Sequence, residues 1–138
     1  MTVHSIAFSV RVFLINNGEN VRLPYIWEFA RNCCESASFL LAECILIFHP
    51  QSEVYIVRSR KGSENHIWVE VEGLVYDITL DQFHEFGEPV IGGDMASYHF
   101  QFTDCDRILY ANEKRQNDWF PGMESEFKNV AERIFENA

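Results

Sequence analysis

The stretch from Asn65 to Phe83, NHIWVEVEGLVYDITLDQF, leaves the chain few choices. Ile67, Val69 and Val71 alternate with His66, Trp68 and Glu70. Leu74, Tyr76 and Ile78 alternate in the same way beyond Glu72-Gly73. A period of two on both sides of a turn signal predicts an antiparallel hairpin. A two-residue turn would pair Val71 with Leu74, Trp68 with Asp77 and His66 with Thr79. One face then carries Ile67, Val69, Val71, Leu74, Tyr76 and Ile78, all suited to a core. The other carries His66, Trp68, Glu70, Val75, Asp77 and Thr79. His66 and Asp77 fall diagonally on that second face, with Cβ atoms roughly 7 Å apart, close enough for their side chains to hydrogen-bond. A histidine beside a carboxylate is a nucleophilic triad that lacks only its nucleophile.

The other segments read less sharply. Ser5 to Leu14 suggests a strand, and Asn16-Asn17-Gly18 a turn. Pro24 opens a short helix through Ile26, Trp27 and Phe29. Ala37, Leu40, Leu41, Cys44, Ile45 and Phe48 recur at three and four, the stripe of a core-facing helix that Pro50 stops. Asn32 as its N-cap would place Cys33 and Cys34 in the first turn; one helix from Pro24 to His49 is the competing reading. Glu53 to Arg58 reads as a strand and Ser59 to Asn65 as a loop. After the hairpin come an irregular run (Asp81 to Glu88), a short strand (Pro89 to Ile91) and a Gly92-Gly93-Asp94 turn. Tyr98, Phe100 and Phe102 alternate as a further strand. Ile108 to Tyr110 marks a short element and Asn112 to Asp118 a polar loop. Phe127, Val130 and Ile134 mark a closing amphipathic helix from Met123 onward. The sum is α+β, a helix packed on an antiparallel sheet.

A chain of 138 residues suits a single domain spanning 1–138. Its 47% hydrophobic content, with 12 Phe, argues for a real core and against disorder. The formal charge of −10 repels phosphate backbones, so no nucleic-acid partner is expected. The N-terminal segment has no basic n-region, and Arg11 interrupts its apolar run. Neither a secretory signal nor a membrane span is expected. With four cysteines and no CxxC, reduced thiols in a cytoplasmic protein are the expectation, export by a specialised secretion route remaining open. No phosphate-binding glycine loop is present, and no cofactor is expected.

The nucleophile is sought in Cys33 and Cys34. At a helix start, the orphan N–H groups and the helix dipole favour a thiolate and can also bind an oxyanion. Taken alone, a cysteine near a helix start is usually a small core residue. A His–Asp pair on a hairpin is often only a contact worth under ~1 kcal/mol. The conjunction of all three groups carries the triad reading.

Three segments together, Cys34-Glu35-Ser36-Ala37-Ser38, His66-Ile67-Trp68-Val69-Glu70 and Tyr76-Asp77-Ile78-Thr79, resemble the transglutaminase-like branch of the papain-like cysteine protease superfamily, in particular its small bacterial members. The resemblance covers about residues 30 to 83. It implies a cysteine at a helix N-terminus, a histidine on a following strand in an H-x-W context and an aspartate on the next strand in a D-x-T context. It implies a papain-like/transglutaminase-like fold, with an N-terminal helix carrying the cysteine. Family members often carry Gly two residues before the nucleophile, where this chain has Arg31 or Asn32. Between the two cysteines, the C-x-x-A-S spacing favours Cys34. Helix phase agrees, pointing Cys33 with Ala37 into the core and Cys34 to the stripe's edge.

The expected activity is a cysteine-dependent amide hydrolase (peptidase, amidase or deamidase) working through Cys34, His66, Asp77 and a thioester acyl-enzyme. Transglutaminase-type acyl transfer is the alternative, and a non-catalytic interaction module that kept the fold is the rival class. The substrate would be a peptide or protein amide. Trp68 is read either as a cover for apolar surface at the sheet edge or as a cleft wall. Gln82 is read either as an oxyanion or substrate donor or as a tie for the turn. A zinc site at Cys34, His66 and Asp77 is disfavoured because paired short ligand spacings are absent, so no metal is expected. His84 and His99 lack a recognisable partner and read as ordinary histidines.

Overall fold

A computed structural model describes residues 1–23, 26, 29, 33–80, 88–94, 99–102, 104–116 and 124–136. The elements in order are α1 (Val3–Asn17), α2 (Cys34–Phe48), β1 (Val54–Lys61), β2 (Glu64–Val71), β3 (Leu74–Asp77), β4 (Val90–Gly93), β5 (Asp104–Leu109), α3 (Tyr110–Gln116) and α4 (Glu124–Phe135). The strands form one antiparallel sheet in the order β4-β3-β2-β1-β5, with helices packed on it. The α+β architecture is therefore the one the hairpin and helix patterns predict.

The central hairpin has the predicted register, with Val71 opposite Leu74 and Val69 opposite Tyr76. Glu72 and Gly73 both have positive φ, 52° and 77°. That is the backbone of a primed two-residue turn, whose twist matches the strands it joins. Ile67, Val69, Val71, Tyr76 and Ile78 enter the main core, whereas Leu74 stays exposed beside the turn.

Helix α2 lies at the centre of the core. It contacts β1 and β2 on one side and α1 and α4 on the other. This explains why every residue from Ser36 to Ile45 is buried, well beyond a one-sided stripe. Even Glu43 lies inside, where the Tyr110 hydroxyl donates to its carboxylate at 2.9 Å. Cys33, rather than Asn32, is the N-cap residue. Asn32 itself, most of the helix expected from Pro24, and Gln82 and His84 lie outside the described residues.

Five other expectations need correction. Ser5 to Leu14 is part of helix α1, not a strand. The β-branched residues there suggest strand propensity, but Ile6, Ala7, Val10 and Leu14 are the buried positions, a helical spacing. Thr2 caps the helix by accepting from the Ser5 N–H at 3.0 Å. In consequence the helix that carries Cys34 is not the N-terminal one. Secondly, Ser59 to Asn65 is no loop, because β1 and β2 stay paired out to Lys61 opposite Glu64. Thirdly, Gly92-Gly93 belongs to β4. Gly92 sits at φ +70° where the β3–β4 register shifts, and a Cβ there would lie 3.2 Å from the Tyr76 hydroxyl. Lastly, His99–Gln101 is a 3-10 turn and not a strand, and the polar run from Asn112 is largely helix α3. Tyr98, the first member of that expected alternation, lies outside the described residues.

Candidate active site

Cys34 is the first residue of α2 and is half-buried, while Cys33 is 1% exposed. The first helical bond runs from the Ala37 N–H to the Cys33 carbonyl at 2.8 Å. Cys33 offers no side-chain cap, so the N–H groups of Cys34 and Glu35 open the helix without an acceptor inside it. Two hydroxyls tie this helix and its neighbours to β2. Ser38 Oγ donates to the Ile67 carbonyl at 3.2 Å, and Ser59 Oγ donates to the His66 carbonyl at 2.7 Å.

His66, on β2, is fully buried, and Asp77 closes β3 at 1% exposure. His66 Nε2 lies 2.6 Å from Asp77 Oδ2. A carboxylate oxygen only accepts, so Nε2 carries the hydrogen of this bond. The Cys34 side chain lies close enough to His66 to help raise its pKa. Since Nε2 is committed to Asp77, the nitrogen left for the sulfur is Nδ1. Cys34, His66 and Asp77 are thus brought together, His66 hydrogen-bonded to Asp77 and Cys34 beside His66.

The electrostatics follow from burial set against pairing. Burial disfavours charge on His66, but the Asp77 charge and hydrogen bond, followed by Cys34, outweigh it and lift the pKa to about 10. Burial likewise pushes Asp77 up, yet His66 first and then His99 hold it down at about 2. The folded His66 value lies above its ordinary 6.5, so its contribution to stability is complete below pH 6.5 and is lost as pH rises through about 10. The folded Asp77 value lies below 3.8, so its contribution is present above that and is lost as pH falls through about 2. Urea unfolding across pH is therefore expected to show a pair contribution, of the order of a few kcal/mol, that is greatest between about pH 4 and 6.5. The difference between wild type and Asp77→Asn should shrink on both sides of that window; a pH-independent difference would contradict it.

Sequence reasoning missed His99. It is fully buried, and its Nε2 lies 2.7 Å from the same Asp77 Oδ2. The other oxygen, Oδ1, accepts from the Thr79 N–H at 3.3 Å and the Thr79 hydroxyl at 3.4 Å. The residues flanking His99 gave no signal, because an alternation of aromatics there suggested a strand. Trp68 was expected at a sheet edge but sits on the middle strand at 0% exposure. Its ring packs 4.5 Å from His99 and 5.7 Å from His66, so the indole backs the histidines instead of covering an edge or facing solvent.

His66, Asp77 and His99 also present three ligand atoms within 4.8 Å of one another. Both ring nitrogens, however, aim at the carboxylate oxygen at 2.6 and 2.7 Å. Ligands arranged tetrahedrally about zinc, each about 2.0–2.1 Å from the metal, stand farther apart than that. The distances are those of hydrogen bonds, so the residues present do not fit a metal as they stand.

The first turn of α2 is held by charge as well. Arg58 on β1 donates from Nη1 to Glu35 Oε2 at 2.6 Å and from Nε to Glu113 Oε1 at 2.6 Å. Its guanidinium also lies over the Phe39 ring. Burial raises the Glu35 pKa, and Arg58 opposes that rise. Arg58→Met is expected to cost about 2 kcal/mol in urea unfolding, as the loss of hydrogen bonds to charged groups does. Adding Glu113→Gln should recover part of that cost.

No protein-family model matches the sequence, and comparisons with curated proteins and with solved structures returned no match. Among the described residues, no helix is long and apolar enough to cross a membrane.

Proposed function

We propose that the protein is a cysteine-dependent hydrolase of amide bonds in peptides or proteins, built on a papain-like/transglutaminase-like variant of the α+β fold. The observation that carries this reading is the buried His66–Asp77 hydrogen bond with the half-buried Cys34 beside His66. A cysteine at a helix start, a histidine on the sheet and an aspartate on the next strand also match the order of the motifs in the sequence.

The reaction divides among these groups. With the thiol proton held on His66 Nδ1, as the raised His66 pKa favours, the Cys34 sulfur attacks the carbonyl carbon of the amide. The Cys34 N–H, at the open start of α2, donates to the developing oxyanion. The C–N bond then breaks, and the amine leaves with the proton held on Nδ1. Water, deprotonated by the same nitrogen, attacks the thioester. The acid is released and the sulfur takes its proton back. Asp77 holds the Nε2–H throughout, keeping Nδ1 turned to the sulfur and supporting the imidazolium. An amine in place of water would turn hydrolysis into acyl transfer.

Incubating the protein with a complex peptide pool in H₂¹⁸O tests the proposal. Hydrolysis is expected to place ¹⁸O in new C-termini, marking a peptidase, or in glutamates and aspartates formed from side-chain amides, marking a deamidase. Adding a primary amine reports acyl transfer in the same samples. All products should vanish in Cys34→Ala. If wild type and Cys34→Ala give the same products, the proposal fails.

A further inference from the structure

We infer that His99 is a positioning residue for this site: together with His66 it grips one carboxylate oxygen, and so fixes the line from Asp77 through His66 to Cys34. The inference rests on the proposed cysteine chemistry and adds to it a fourth member, drawn from a separate segment of the chain.

Three observations carry it. First, both histidines address the same atom, Asp77 Oδ2, at 2.6 and 2.7 Å. Each Nε2 must therefore carry a hydrogen, and that sets the ring orientation of both residues. Second, the two imidazoles are nearly parallel, 13° between planes with centroids 6.2 Å apart. The His99 ring is locked in turn by the Trp68 indole at 4.5 Å. Third, among the described residues Asp77 receives four donors, two histidine N–H groups on Oδ2 and two Thr79 donors on Oδ1. A carboxylate offers about four lone-pair sites, so this one is saturated and cannot turn without breaking a bond.

The chemical consequence follows from competition for Oδ2. With His99 in place the oxygen is shared, and the carboxylate has one orientation. Without that donor, the buried oxygen is short of a partner and Asp77 is free to swing toward another one. The His66 ring would then lose its registration with Cys34, since its orientation is set by the bond on its far nitrogen. A histidine that merely filled space would need no donor on that oxygen.

The test uses His99→Leu, which removes the donor, and His99→Gln, whose amide nitrogen restores one at similar reach. In the full-length protein, trace iodoacetamide at pH 7 is allowed to compete for the cysteines. The Cys34 to Cys105 labelling ratio is read by mass spectrometry, Cys105 being half-buried with its thiol donating to the Phe102 carbonyl. His99→Leu is expected to lower the ratio about tenfold or more, the usual cost of losing an outer partner of a functional histidine. His99→Gln should recover most of the loss. A His99→Leu ratio equal to wild type overturns the inference. So do equal losses in Leu and Gln that track equal losses of thermal stability. His66→Gln run alongside separates the two claims. If it slows Cys34 while His99→Leu does not, only the His99 role falls; if it leaves Cys34 unchanged, the cysteine reading itself falls.

Two measurements on the unsubstituted protein serve if the Leu variant does not fold. Proton NMR should show two ring N–H protons protected from exchange by Oδ2, and a single protected proton contradicts the inference. Metal analysis should find no stoichiometric zinc; a full equivalent, released by chelator, would replace shared hydrogen bonds with shared coordination and overturn it.

Discussion

Asp77→Ala is expected to lower the unfolding free energy by about 3–5 kcal/mol, the range seen when one partner is removed from a buried ionic pair. The loss reaches beyond one interaction because Asp77 is the acceptor for His66, His99 and both Thr79 donors. Removing it leaves two fully buried imidazoles without their carboxylate, and the charge on His66 without its counterion. Each orphaned group bears its desolvation cost in full. Asp77→Asn should cost less, because the amide oxygen can still accept one histidine N–H, but its amide hydrogens face a donor on the other side. Urea denaturation near pH 5.5, inside the window where the pair contributes most, is the measurement. A loss under about 1 kcal/mol for Asp77→Ala would mean that the site is wetter and looser than the distances indicate.

The second large effect falls on chemistry. His66→Gln is expected to slow alkylation of Cys34 at pH 7 by about 100-fold, the lower end of what a positioned acid–base group supplies. Cys105 in the same molecule should keep its rate. The reason is local: Nδ1 is the only ring nitrogen that remains for the sulfur, since Nε2 is bonded to Asp77. Glutamine approximates the reach of imidazole but cannot hold the thiol proton as a cation beside the sulfur. Equal slowing of both cysteines would point to a general loss of structure instead.

How much of this was legible in the sequence varied with how local the physics was. The hairpin from Glu64 to Asp77 declared itself, because strand alternation and a Glu72-Gly73 turn are short-range properties and register follows from the turn. The His66–Asp77 contact came with that register. The position of Cys34 was legible from helix phase, which separates a core-facing Cys33 from its half-buried neighbour. Helix α1 was not legible. Its β-branched residues suit a strand, and packing against α2, β4 and α4 selects the helix. Leu74 alternated correctly yet stayed in water, because a residue beside a tight turn extends past the helices that cover the sheet. His99 was out of reach altogether. It meets Asp77 from 22 positions away through a 3-10 turn, and no periodicity announces such a contact.

The central claim is that Cys34 and His66 form a reactive pair supported by Asp77. One native-state competition tests it without knowledge of the substrate. Wild-type protein is mixed at pH 7 with iodoacetamide well below one equivalent, quenched, unfolded, blocked with a second reagent, and digested for quantitation of all four cysteines. The account predicts that Cys34 takes the label at least about tenfold ahead of Cys105, with Cys33 and Cys44 protected by burial. Labelling of Cys34 no faster than Cys105, which is also half-buried, would contradict it.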